Sequence, residues 1–157
     1  MEEINIRRAK ESDIPAIDRL LYQVHKVHSD VRPDLFKAGF KKYTDSELKL
    51  IIADDKRPVF VAEKDGGISG YAFCVYQQSE SNNMTDIKTL YIDDLCVDEA
   101  SRGQHIGKLL YEYTLDYARR NGFYNVTLNV WADNAGAVKF YEKLGLKVQK
   151  IGMEKIL

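Results

Sequence analysis

Apolar residues recur along this chain in two periods, and the changes between them mark its elements. Ile4 to Ala9 reads as a short strand. Ile14, Ile17, Leu20, Leu21 and Val24 fall at helical spacing, and Ser12 is placed to cap a helix that runs to about His28. Pro33 and Gly39 break the stretch 29–43, after which Thr44 can cap a second helix to about Asp54. Pro58 to Glu63 and Ile68 to Gln77 are apolar, β-branched runs around the turn signal Asp65-Gly66-Gly67, which predicts a hairpin. Beyond a polar loop at 79–85, Asp86 to Val97 predicts a longer strand and Gly107 to Asn121 a helix stopped by Gly122. Phe123 to Trp131 predicts a strand, Asn134 to Leu144 a helix stopped by Gly145, and Leu146 to Leu157 mostly extended chain.

The order β-α-α-β-β-β-α-β-α-β, with no repeat, linker or low-complexity segment, predicts one α/β (α+β) domain over residues 1–157. The strand to Val97, its following helix and the strand from Phe123 form a β-α-β unit, so those two strands should be parallel with a right-handed crossover. Ligands collect where strand ends meet a helix start in such units.

Composition narrows the partners. A formal net charge of −1 over 157 residues gives no footprint for nucleic acid or an anionic membrane. No apolar run is long enough to span a bilayer, and the chain opens acidic with no apolar signal core, so the expected location is the cytoplasm. Cys74 and Cys96 lie in apolar strand segments and read as buried free thiols. No Cys/His set has structural-zinc spacing, His25-x-x-His28-x-Asp30 is too short a match to carry a metal site, and none is expected.

The junction of the β-α-β unit reads VDEASRGQHIGKLL, from Val97 to Leu110. The first N–H groups of a helix lack internal partners and sit at the positive end of the macrodipole, so this turn can hold an anion. Gly103 and Gly107 let the backbone approach a ligand, and Arg102 and Lys108 add positive charge. A Walker-type Lys-Ser/Thr pair is missing, which speaks against a nucleotide-hydrolysing loop; on the glycines alone an ordinary loop at a helix start is the alternative.

Together with the downstream stretch NVWADNAGAVKFYEKLGL, this loop resembles the GNAT family of acetyl-CoA-dependent N-acetyltransferases. The family loop Arg/Gln-x-x-Gly-x-Gly/Ala corresponds here to Arg102-x-x-His105-x-Gly107, with Gln104 and Ile106 between. Asn134, Ala137, Phe140, Tyr141 and the run to Gly145 match its second cofactor-contacting region. The resemblance implies a GNAT-type mixed sheet of about six to seven strands flanked by about four helices. His105 departs from the pattern; at positive φ a non-glycine residue costs roughly 1–2 kcal/mol, yet its N–H still serves an anion.

By the same resemblance, Leu95, Cys96 and Val97 hold the pantetheine arm of acetyl-CoA by their backbone groups, and Tyr141 serves the departing thiol as general acid. Ala137, Phe140, Tyr141 and Leu144 share a helix face, so Tyr141 points inward, where a core role is the alternative. Asn134 can contact the cofactor or simply cap its helix. Tyr91-Ile92-Asp93-Asp94 resembles the acidic pair of the polyamine acetyltransferases. On a regular strand, Asp93 shares a face with Tyr91 and Leu95, and Asp94 lies on the other. Asp93 is the preferred base, directly or through water, and Asp94 the second choice. His25, His28, Asp30 and Trp131 are candidates for the acceptor pocket. The expected activity is direct acetyl transfer to a primary amine, small and cationic, or on a peptide. A non-catalytic acyl-CoA-binding module of the same fold is the alternative, and a homodimer is one assembly left open.

Overall fold

Hydrophobic alternation becomes a two-faced sheet in the computed structural model, which describes residues 3–157. Strands β1 (Ile4–Arg8), β2 (Val59–Lys64), β3 (Gly67–Gln78), β4 (Lys88–Val97) and β5 (Asn125–Leu128) lie side by side in that order. The first three pairings are antiparallel, and β4 with β5 is parallel, as the β-α-β reading requires. Asp65 and Gly66 form the two-residue β2–β3 loop with φ of 52° and 77°. Both central positive-φ residues are what a primed hairpin turn demands.

Helices α1 (Ile14–Val31) and α2 (Asp45–Ala53) cover one face, packing Ile17, Leu20, Leu21 and Leu48 on Val59, Val61, Tyr71 and Phe73. On the other face α3 (Ile106–Arg120) sets Ile106 and Leu110 against Phe60, Ala62, Ala72 and Ile92. The fourth helix, α4 (Ala135–Lys143), follows β5, and Leu144 and Leu146 just beyond it pack against the α3-side core. Alternate residues of each central strand thus enter different cores, which fixes register: a one-residue slip would exchange the two sets.

Three expectations change. Ser12 does not cap α1; a 3₁₀ turn over Glu11–Asp13 precedes it, and α1 runs to Val31. The Asp13 carboxylate is the organising group there, accepting the Lys10 N–H at 2.9 Å and two bonds from Arg7 at 2.8 and 2.9 Å. By contrast Thr44 caps α2 as expected, its hydroxyl accepting from the Glu47 N–H while the Glu47 carboxylate accepts from the Thr44 N–H. The sheet has five strands among the described residues, not six or seven. Residues 147–157 are extended in sequence character but pair with no strand, and β5 is four residues long where nine were expected.

Candidate active site

The site grows from an irregularity in β4. Asp94 pairs with Phe73 and Ile92 with Cys74, so Asp93 has no opposite number and forms a β-bulge. The bulge overturns the expectation that the two aspartates face opposite sides. Asp94 Oδ2 accepts from the Tyr71 hydroxyl at 2.7 Å, and Asp93 Oδ2 accepts from the Tyr43 hydroxyl at 2.6 Å. Tyr43 stacks on Phe73 with ring centroids 5.5 Å apart, and Tyr71 meets Phe73 edge-on at 4.8 Å. Both carboxylates therefore look toward α1 and α2.

The sheet opens at the same point of β4. β5 pairs with Thr89–Ile92 and no further, so from Asp93 to Val97 the edge of β4 toward β5 carries no strand. Leu95 and Val97 thus turn their backbone donors and acceptors to a free edge, the fit that an extended amide-bearing arm needs, while the Cys96 carbonyl faces Gly70 of β3 and does not join them. The Leu95 and Val97 side chains pack on the α3 side, and that of Cys96 on the α1 side.

At the end of that edge the chain turns through Arg102 and Gly103, with φ of +85° at Gly103 and +61° at His105, into α3. His105 is the left-handed N-cap of the helix, as the positive-φ reading anticipated. From Gly103 to Lys108, no backbone N–H has an acceptor among the described residues; the first helical bond is from Leu109 to the His105 carbonyl. Six consecutive free donors at a helix start make an anion cradle. Lys64 contacts the Gln104 side chain, and Lys108 lies 3.8 Å from Glu112. Gly107 is glycine for packing: a Cβ there would stand 3.0 Å from Phe140 Cζ and 3.5 Å from Val97. That contact ties α4 to the cradle.

Tyr141, beside Phe140 at 5.1 Å between ring centroids, is half-buried on α4. Burial first, then the nearby Asp94 and Cys96 groups, pushes its phenol well above the usual tyrosine range, so it keeps its proton. Burial pushes the Asp94 carboxyl up to about 6, against the opposing effects of the Tyr71 bond and the Lys42 ammonium. The residue as a whole retains some solvent access while its carboxyl is enclosed. Asp93 differs in its partners, with Lys42 Nζ donating to the same Oδ2 at 2.8 Å. Cys96 is buried with its thiol pushed up to about 12 and its Sγ 3.7 Å from the Leu20 carbonyl, which suits a core thiol and not a nucleophile. Asn134 Oδ1 is spent on the Ala137 N–H at 3.2 Å, the helix-capping alternative.

The candidate pocket residues divide. His25 Nε2 bonds the Lys37 carbonyl at 2.5 Å, His28 stacks on Phe36 at 5.2 Å, and Phe36 meets Trp131 edge-on at 5.8 Å. They clamp the α1–α2 loop to the segment after β5, and the niche between His28, Phe36, Trp131 and Asn134 has no room for water. Burial, then His25 and Lys42, lowers the His28 pKa, which favours a neutral packing ring. Asp30 lies on another side of α1, exposed and paired with Lys26 at 2.8 Å, so the structure does not bring it to His25 and His28. No three His, Cys, Asp or Glu groups are gathered to hold a metal among the described residues. Lys42 escaped notice in the sequence; its one signal is its place directly before Tyr43 and the α2 cap.

The model of the acetyltransferase (GNAT) family matches residues 22–146. An uncharacterized N-acetyltransferase, MJ1207 of Methanocaldococcus jannaschii, is 29% identical over 83% of this chain, which spans 62% of that relative's length. The peptidyl-lysine N-acetyltransferase YjaB of Salmonella typhimurium is 29% identical over 92% of this chain and 84% of its own. The crystal structure of a BH1408 variant from Bacillus halodurans superposes with a TM-score of 0.93 at 33% identity, covering 98% of this chain and 99% of that one.

Proposed function

Since the chain belongs to the GNAT acetyltransferase family and is an acetyl-CoA-dependent N-acetyltransferase, we propose that it acetylates a cationic primary amine directly, with Asp94 as proton acceptor and Tyr141 as proton donor. When bound, acetyl-CoA supplies an acetyl group already activated as a thioester. The free donors from Gly103 to Lys108 suit its pyrophosphate, and the open edge at Leu95–Val97 suits its amide-bearing arm.

The acceptor arrives as an ammonium with an ordinary pKa of about 10.4 and must lose a proton before it attacks. Asp94 takes that proton, directly or through water. Its raised pKa makes it a stronger base than an ordinary aspartate and leaves it ionised at neutral pH. Asp93, favoured as base on sequence grounds, has both its hydrogen bonds on one oxygen from Lys42 and Tyr43 and is better suited to hold a cation. The amine of Lys42 is itself a primary ammonium seated on that carboxylate at 2.8 Å, and an acceptor ammonium would compete for the same seat. Tyr141, protonated and adjacent to the Asp94 and Cys96 end of β4, donates a proton to the departing sulfur. The single observation that carries this reading is the β4 bulge at Asp93, which turns both aspartates to one face at the point where the pairing with β5 ends.

Acceptors of interest are polyamines, aminoglycosides and, in view of the name carried by YjaB, peptide lysines. Thiol release from acetyl-CoA should be measured across these amines, with neutral and acidic amines alongside, and acetyl-CoA binding by calorimetry. The expected result is thiol release with cationic amines. Acetyl-CoA binding with no turnover on any amine would favour the acyl-CoA-binding module instead.

A further inference from the structure

Lys42 holds a primary amine at the place where an acceptor amine has to arrive. Its Nζ donates to Asp93 Oδ2 at 2.8 Å, the oxygen that also accepts from the Tyr43 hydroxyl at 2.6 Å. Asp93 and Asp94 are consecutive, with Cα atoms about 3.8 Å apart. The bulge turns both carboxylates toward the same face. Burial first, then Tyr71 and Lys42, set the Asp94 titration, and burial first, then His25 and Lys42, set that of His28, so the ammonium stands near both groups. Other lysines on this side of the sheet are engaged elsewhere. Lys41 is committed to Asp18 and Asp45, each at 2.5 Å, and Lys26 to Asp30 at 2.8 Å; neither touches a carboxylate of β4.

Lys42 is fixed at its backbone and mobile at its tip. The Tyr43 ring stacks on Phe73, and the Thr44 hydroxyl caps α2, which holds the chain on the C-terminal side of Lys42. On the N-terminal side, the bond between His25 and the Lys37 carbonyl clamps the same loop to α1. The Lys42 side chain is 47% exposed and sits on a flexible aliphatic stem, so a small rotation carries Nζ from Asp93 toward Asp94. A partly exposed ion pair contributes little to stability, and leaving Asp93 costs the amine little. An amine tethered in this way needs no diffusive encounter with an acyl group beside β4.

We propose that Lys42 is an acceptor within the chain: the enzyme acetylates this side chain once, and thereby clears the seat on Asp93 for an external amine. The inference rests on the reading of Asp94 as proton acceptor and Tyr141 as proton donor. The Lys42 ammonium gives a proton to Asp94, and the freed nitrogen lone pair attacks the thioester carbonyl. The N–C bond forms, the C–S bond breaks, and the nitrogen loses its second proton to water. The sulfur leaves with the Tyr141 proton, which water returns. In sum, the Lys42 ammonium and acetyl-CoA give the acetamide, the free thiol of CoA and one proton. The acetamide is uncharged and no longer nucleophilic, so the step ends after one cycle per chain. It cannot pair with Asp93, whose carboxylate is left to Tyr43 and to an arriving cation.

The test uses the full chain with acetyl-CoA and no added amine. Intact-mass spectrometry over time should show one acetyl group per chain. Peptide mapping should place it on Lys42 about tenfold or more faster than on Lys26 or Lys49, which are exposed and also sit on carboxylates. The first-order rate should not change with protein concentration, as a reaction within one chain requires. Asp94→Asn should slow the labelling of Lys42 by about 10²-fold or more and leave that of Lys26 and Lys49 unchanged. An acetyl group already on Lys42 of the purified wild type, and absent from Asp94→Asn, is the same result. With the external amine that releases thiol fastest, Lys42→Gln, which resembles the acetamide, should show a KM several-fold below that of Lys42→Arg, which keeps a cation on Asp93. Labelling of Lys42 no faster than of Lys26 and Lys49, labelling untouched by Asp94→Asn, a rate that grows with protein concentration, or equal KM in the two Lys42 variants overturns the proposal. Thiol release with external amines while Lys42 stays unmodified overturns it and leaves the proposed function intact. Acetyl-CoA binding with neither thiol release nor labelling overturns both.

Discussion

Replacing Asp94 by Asn should stabilise the protein and disable it at once. An ordinary aspartate titrates near 3.8, and Asp94 is raised to about 6, chiefly by burial. The folded state therefore holds this proton more tightly than the unfolded state. That contribution is fully present below the unfolded value near 3.8 and is lost as pH rises through about 6. Linkage sets its size: the difference of about two units corresponds to roughly 3 kcal/mol between strongly acidic pH and pH 8, good to about one unit, or 1.4 kcal/mol. At pH 5 about half of that loss has already occurred. Asn carries no charge, and its side-chain carbonyl can still accept from the Tyr71 hydroxyl. The variant should thus gain on the wild type as pH rises from 5 to 8, by about 1–1.5 kcal/mol, or roughly 2–6 °C in Tm for a domain of this size. Thermal melts of both proteins at pH 5, 6.5 and 8 measure the gain, and the thiol-release assay measures the loss of turnover, expected to be about 10²-fold or more. A pH-independent Tm difference, or a folded variant with wild-type turnover, would refute the assignment of Asp94 as a buried base.

Tyr141→Phe should preserve acetyl-CoA affinity in calorimetry and lower kcat by a factor of about 10²–10⁴; full activity across the pH range would make Tyr141 a core residue. Gly107→Val should destabilise by roughly 1–3 kcal/mol in denaturant titration, through overpacking against Phe140, and weaken acetyl-CoA binding. His105→Gly relieves a left-handed conformation worth roughly 1–2 kcal/mol and adds unfolded-state entropy worth about half of that, so stability should rise slightly with binding retained. Asp93→Asn should raise KM for cationic amines while acetyl-CoA binding stays nearly constant; unchanged amine kinetics would exclude Asp93 from acceptor capture.

Periodicity was enough to read most of the scaffold. Burial of Ile17, Leu20 and Leu21 gives α1 a strong 3.6-residue signal, and the Asp65-Gly66 turn needs residues that tolerate positive φ. The cradle was legible for a similar reason: glycine and a helix start have local requirements that a few residues can display. What stayed hidden was non-local. A bulge is created by a mismatch between two strands, so nothing in Tyr91-Ile92-Asp93-Asp94 alone announces that Asp93 lacks an opposite number. Reading β4 as a regular strand therefore placed the two carboxylates on opposite faces, and the ion pair to Lys42, fifty-one residues away, could not be seen at all.

The tail shows the complementary limit. The sequence predicts mostly extended chain over Leu146 to Leu157, and the sheet of about six to seven strands was what the family resemblance implied. Residues 147–157 pair with no strand among the described residues, although β1 to β4, with comparable patterns, are paired. Pattern specifies that a segment is extended; it does not specify an edge for it. The packing of Leu144 and Leu146 on the α3-side core sets where the tail begins, Gln149 and Lys150 border a cavity with Thr127 and Asn129, and Glu154 pairs with Arg32 just after α1. The bulge in β4, by contrast, is built by the pairing of β3 with β4, so a change confined to the tail, such as Ile151→Glu, should leave the Asp94 titration where it is, as thermal melts of both proteins across pH 5–8 would check.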